Sequence, residues 1–478
     1  MSDSFDAGSG RVPGGYREVL AISFPLILST STMSLAHVID RVFLSWYSSD
    51  SLAASLPAGA SAFVFLSLFI GTTSYVNTFV SQYHGAGRPD RIGASVWQGI
   101  YLSLIAAVAI ASMSLIAEPL FRLAGHPPAI REQEVTYFRI MALGGGGPVL
   151  SAALSAFYSG RGRTWMVMWV NLGGALVNCF FNYLWIFGNW GFPEWGIFGA
   201  ALASILAPWL MSIFYFSLLF LPRNRTKYSS LSAWRFDPDL FRRLIRYGFP
   251  SGLQFMTDVS AFTIFILLIG RIGAVELAAS NIAFAVNHLV FMPMVGLAIG
   301  TSVLVGRYLG ANKPDLAARS TTHAFQLTLT YMSGFALLLL SFPGFFIACF
   351  DPGNSSEDFA EISRLARHLL YFVAAYSTLD ATNIIYTAAL KGAGDTRFVL
   401  LIMIVVSLSC MVVPVLISCV LLGGGIYIAW FFLWLWVVVL AGAFYWRYRA
   451  GHWRGMRVIE HAPAPAAAVT EGPVVEAP

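Results

Sequence analysis

Three aspartates stand where charge is expensive. Asp40 lies in LAHVIDRVFLSW (Leu35 to Trp46), Asp258 in LQFMTDVSAFTIFILLIG and Asp380 in AAYSTLDATNIIYTAALKG, each within a run that otherwise reads as membrane-embedded helix. On insertion scales an aspartate at a helix centre costs roughly 2.5–3.5 kcal/mol, so it either finds a partner or does work. A carboxylate in low dielectric takes up a proton or binds a cation, which is the chemistry an ion-coupled device needs. The plainer reading of each is a buried hydrogen bond between helices. Asp258 and Asp380 come from different helices and can share one proton or hold one cation between them, with Tyr376 one turn before Asp380 on the same face. Asn178 and Asn182 are four residues apart, so their amides share a face. His37, one turn from Asp40, is a candidate proton relay near neutral pH, against the plainer reading of a packed neutral imidazole. Arg41 is long enough to snorkel toward Trp46 and Tyr47, an interfacial belt; Asp40, roughly 9 Å short of Trp46 along a helix axis, is not.

The elements that carry these residues follow from composition. The 478 residues are 57% hydrophobic and only 11% charged, with a mean hydropathy of +0.69. Soluble chains carry about 25% charged residues, so this is an integral membrane protein. The pI of about 9.0 arises from basic residues in short loops, a mark of topology that excludes a nucleic-acid partner. Cys179, Cys349, Cys410 and Cys419 lie in or beside apolar segments without metal spacing and read as packing residues. No HExxH, P-loop or nucleophile–base motif occurs, so neither an enzyme, a metal centre nor a cofactor is expected. GAGRPD and GAGDTR follow helices and precede the next ones, so their glycines read as turn and cap residues. Gly144 to Gly147, with Pro148, mark a bend or a close helix contact.

Apolar runs long enough to span a bilayer recur twelve times, and the fold class is all-α. Most of the 29 Lys and Arg fall on the side that carries both chain ends, which places the N- and C-termini in the cytoplasm. The expected organisation is a lobe over 1–221, an inter-lobe loop over 222–241, a second lobe over 242–457 and a low-complexity, disordered tail over 458–478.

The chain also contains itself twice. VSQYHGAGRPD (Val80 to Asp90) aligns with VGRYLGANKPD (Val305 to Asp315), and the same displacement puts Leu52 on Leu277, each opening LAAS, and Pro25 on Pro250. Farther on, SGRGRT (Ser159 to Thr164) aligns with KGAGDT (Lys391 to Thr396). Six spans per half give both halves one orientation, hence two pseudo-symmetric six-helix bundles with a cleft between them, an arrangement used by transporters.

These motifs, in this order, resemble the multidrug and toxic compound extrusion (MATE) family of the larger flippase superfamily. The resemblance covers nearly the whole chain and is carried most specifically by FMPMVGLAIGTSVLVGRYLGANKPD (Phe291 to Asp315), LKGAGDTR (Leu390 to Arg397) and VNCFFNYLWIFGNWGFPEWGIFGAALAS (Val177 to Ser204). It implies an antiporter of the cytoplasmic inner membrane, monomeric among membrane lipid, that exports small cationic amphipathic compounds against inward H+ or Na+. It implies an N-lobe cation site of Asp40, Asn178, Asn182 and Ser204, and a C-lobe site of Asp258, Asp380 and Tyr376. Relatives often carry Asp at the position of Asn182 and Glu at that of Asp258. The first departure leaves one carboxylate in the N-lobe, which suits protonation. Two alternatives are weighed alongside. A lipid or lipid-linked oligosaccharide flippase would line its cavity with several Lys or Arg, and a membrane-embedded enzyme would need a reactive cluster at one depth.

Overall fold

The computed structural model describes residues 12–124, 127–350 and 357–460. Twelve long helical spans account for almost all of them. They are α1 (Tyr16–Tyr47), α2 (Ser49–Gly85), α3 (Pro89–Leu123), α4 (Pro128–Ser159), α5 (Thr164–Phe187), α6 (Gly196–Leu219), α7 (Pro238–Ile272), α8 (Ala274–Gly310), α9 (Pro314–Ser341), α10 (Glu357–Ala393), α11 (Thr396–Leu421) and α12 (Ile426–Arg449). Among the described residues, eleven of these are long and apolar enough to cross a membrane. The other, α10, is 37 residues long and carries Tyr376, Ser377, Asp380 and Asn383 through its middle. Helices are the expected solution because every backbone polar group is then satisfied within its own segment.

The ends are set by local chemistry. Asp237 caps α7, its carboxylate accepting from Leu240 N at 3.0 Å, and Pro238 occupies the first turn. The turns after α2 and α10 use Gly87 (φ +68°) and Gly394 (φ +117°), in the left-handed region that glycine enters freely. The glycine run in α4 breaks the helix at Gly145 and lets α6 approach, with Trp209 against Gly147 and Ile205 against Gly144. In α11 two π-helical turns, Ser407–Val412 and Leu416–Leu421, flank Pro414.

Each lobe has its own core. In the second, Phe284 stacks on Trp430 at 4.9 Å beside Phe265; in the first, Tyr158 stacks on Tyr215 at 5.7 Å among Phe79 and Phe157. The lobes meet along two seams, α1 against α8 and α2 against α7. At both seams the approach is too close for side chains. A Cβ on Gly252 would lie 2.1 Å from Leu68 O, and one on Gly300 2.1 Å from Ser23 Oγ. These contacts fall in the half of the bundle where α1 begins and α12 ends, and hydrogen bonds gather there. Tyr75 Oη donates to Lys391 O at 2.8 Å, Gln82 Nε2 to Gly392 O at 3.0 Å and Arg307 Nη2 to Arg161 O at 3.0 Å. The molecule is therefore sealed between its lobes at the end that carries its termini.

One expected boundary moves. Val458 and Ile459 are buried, at 2% and 6% exposure, in a core that the first lobe shares with Leu240 and Leu244 of α7. The ordered chain therefore runs past 457, because two apolar residues precede the low-complexity composition. The rest of the expected tail, 461–478, lies outside the described residues.

Candidate functional site

Asp40 sits two turns before the end of α1, on the face that packs against α5. Asn182 Nδ2 donates to Asp40 Oδ1 and, at 3.4 Å, to Asn178 Oδ1. Three turns earlier on both helices the same pairing recurs, with Asn171 Nδ2 donating to Ser29 Oγ at 2.5 Å. Two polar rungs at the same sequence separation show that α1 and α5 run parallel in fixed register. Asn178 and Asn182 are both buried, at 7% and 0% exposure. Asp40 keeps 16% of its side chain accessible, enough for a small ion to reach it.

One atom in this rung is unsatisfied. Asn182 Oδ1 is buried and has no hydrogen-bond donor among the described residues. A buried acceptor without a donor is costly in a protein interior, and it lies on the amide that holds Asp40. With the carboxylate it offers a small cation two kinds of oxygen.

Ser204 does not bond Asp40 directly. Its hydroxyl pairs with that of Tyr137, from α4, and Tyr137 in turn lies within the field of Asp40. Tyr137 is a site neighbour the sequence reading missed, because no motif or spacing ties α4 to α1. His37 Nδ1 stands 4.0 Å from Asp40 Oδ2 with 71% of its side chain accessible. The imidazole is therefore exposed on α1 rather than tightly packed. It remains beside Asp40, and Arg41 and His288 lie close enough to it to interact electrostatically.

In the second lobe Asp380 is buried at 7% exposure and accepts from Asn383 Nδ2 at 3.2 Å. Tyr376, 4% exposed, interacts with it through space. Asp258 and Asp380 feel each other's field, but among the described residues no hydrogen bond joins them. Asp258 instead faces Lys391, whose ammonium donates to Gln254 Oε1 at 3.1 Å, one turn before Asp258. Asp258 therefore lies within the field of both Asp380 and Lys391. Lys391 stands eleven residues, three turns, after Asp380 in α10, and that spacing places both on one helix face. Among the described residues no cluster of three or more His, Cys, Asp or Glu could hold a metal ion.

Two lobes, each carrying a carboxylate within its membrane spans and sealed against each other at one end, define a membrane transporter of the repeat-built kind. The MatE family model matches residues 25–184 and again 250–417, so the two matches begin at the prolines that the internal repeat superposes. The chain belongs to the MatE family. It is 30% identical to the multidrug resistance protein NorM of Burkholderia vietnamiensis over 80% of this chain and 82% of that one. It is 27% identical to NorM of Photobacterium profundum over 80% and 82%. A MOP superfamily transporter from Pyrococcus furiosus has the same fold, with a TM-score of 0.83 at 20% identity over 92% of this chain and 96% of that one. So does a multidrug resistance MATE transporter in an outward-facing conformation, with a TM-score of 0.83 at 19% identity and the same coverage. The protein is a multi-pass membrane transporter and not an enzyme.

Proposed function

We propose that the protein is an antiporter that expels cationic amphipathic compounds in exchange for inward H+ or Na+. The observation that carries the reading is the Asp40 rung, a membrane carboxylate held by Asn182 beside an acceptor oxygen with no donor among the described residues. Such a site binds a small cation in one state of the bundle and gives it up in the other. A gradient of that cation then drives the exchange, because each ligand favours a different state. NorM relatives are named for multidrug resistance, which supports a substrate class of large apolar cations. The buried acids Asp40, Asp258 and Asp380 favour cations over the pyrophosphate of a flippase substrate. The distribution of Lys and Arg supports both termini inside, likeness to the NorM relatives supports the cytoplasmic inner membrane, and the reading takes the chain as a monomer.

The test is binding of tetraphenylphosphonium to the purified transporter across a range of pH and Na+ concentration. The reading expects H+ or Na+ to weaken binding, and Asp40→Asn to remove that competition. Binding that ignores both ions in the wild type counts against it.

A further inference from the structure

We propose that residues Trp453–Glu460 form a strap that latches the terminus-bearing end of the two lobes shut, with the Glu460 carboxylate as its catch. The proposal rests on the alternating-access reading above, in which that end must open once per cycle.

The strap begins in the second lobe. After α12, Gly451 turns the chain at φ +78° into a short helical turn, His452–Gly455. Trp453 is buried at 1% exposure. It stacks on Tyr448 at 4.8 Å and donates its indole N–H to Tyr448 O at 2.9 Å. This anchors the strap to α12. The chain then crosses to the first lobe, where Val458 and Ile459 enter the core that holds Val80, Tyr83 and Ile92. Val458 N donates to Gln82 Oε1 at 2.9 Å while Gln82 Nε2 donates to Gly392 O at 3.0 Å. One side chain of α2 thus ties the strap and the end of α10 together.

Glu460 closes the device. On the first lobe, Tyr83 Oη donates to it at 2.7 Å, Arg88 Nη2 lies 2.9 Å away and Arg91 Nε lies 3.4 Å away. On the second lobe, Arg243 of α7 binds the same carboxylate and reaches Val458 O at 3.4 Å. A carboxylate shared between arginines of both lobes is lost from one of them as soon as the lobes part. Opening this end therefore strips Glu460 of Arg88 and Tyr83 or pulls Val458 and Ile459 out of a core. Either step biases the resting molecule toward the closed end seen here.

The test reads distance rather than flux. In full-length protein lacking Cys179, Cys349, Cys410 and Cys419, spin labels are placed at Asp90→Cys and Arg397→Cys, exposed positions on opposite lobes near the latched end. Pulsed dipolar spectroscopy in lipid nanodiscs then gives the open and closed populations. Glu460→Gln is expected to raise the open population about fivefold, and Arg88→Gln to raise it by less, since Tyr83 and Arg91 still hold the carboxylate. Combined, they should do little more than Glu460→Gln alone, since the Arg88 contact is one of those that Glu460→Gln removes. Arg91 is left in place because it also binds Asp237 at 3.0 Å. Unchanged distances in Arg88→Gln, or effects of the two substitutions that add in full, would overturn the latch. If Glu460→Gln does not fold, Arg88→Gln with an intact strap carries the test. A protein that moves no cation still answers it, so failure of efflux sinks the antiport reading and leaves the latch standing.

Discussion

An asparagine amide holds one aspartate in each lobe, and a lysine near the other marks off the second lobe. In the first lobe Asp40 is held by the amide nitrogen of Asn182, whose oxygen has no donor among the described residues. In the second, Asp258 is countered by Lys391 and Asp380 is held by Asn383. Replacing Asn182 with alanine removes the donor that holds Asp40; hydrogen bonds to charged groups are worth roughly 1.5–3 kcal/mol. The variant should lower the unfolding midpoint and cut cation efflux about tenfold, measured by thermal melting and in proteoliposomes. Glu460 makes a second residue-scale prediction. Burial works against its charge, but hydrogen bonds from Tyr83 and Arg243 and the field of Arg243 outweigh it. They hold the carboxyl at about 2 rather than the ordinary 4.5. A depressed value means its stabilisation is complete above the ordinary range and is lost only as the pH falls toward about 2. The latch should stay shut between roughly pH 5 and 8, so the spin-label distance at that end should not change over this range.

At the scale of elements, the seams decide how the lobes meet. Gly252 of α7 stands where a Cβ would collide with Leu68 O and Thr72 Oγ1 of α2. Neither seam can yield without moving backbone, and overpacking of this kind costs roughly 1–3 kcal/mol. Gly252→Ala should therefore part the closed end, lengthening the same spin-label distance, while each lobe keeps its own core. The seam glycines were not legible as such, because a glycine in a membrane helix reads alike whether it faces lipid or another helix. The repeat was legible, because Pro25 and Pro250, like Val80 and Val305, fall at one displacement that duplication alone explains. Asp40, Asn178 and Asn182 were also legible, since a charge and two amides stand out against apolar runs. Tyr137, Lys391 and Glu460 were not. Their partners lie on helices far away in sequence, as in the 377 residues between Tyr83 and Glu460, and Glu460 adjoins a stretch whose composition reads as tail.

At the scale of the whole molecule, the account joins a carboxylate in each lobe to a seal between lobes. When the seal opens, the cleft must close at the other end, and in the proposed cycle a cation on Asp40 shifts that balance. Removing the carboxylate should break the coupling but keep the fold, because Asn182 can still pair with an asparagine at position 40. The most direct measurement is efflux of a lipophilic cation from proteoliposomes under an imposed proton gradient or an imposed sodium gradient, comparing the wild type with Asp40→Asn and Asp380→Asn. The account predicts that at least one gradient drives efflux in the wild type and that Asp40→Asn, folded and monodisperse, abolishes it. Efflux that follows a gradient equally well in Asp40→Asn would contradict it, and coupling would have to be sought at Asp380.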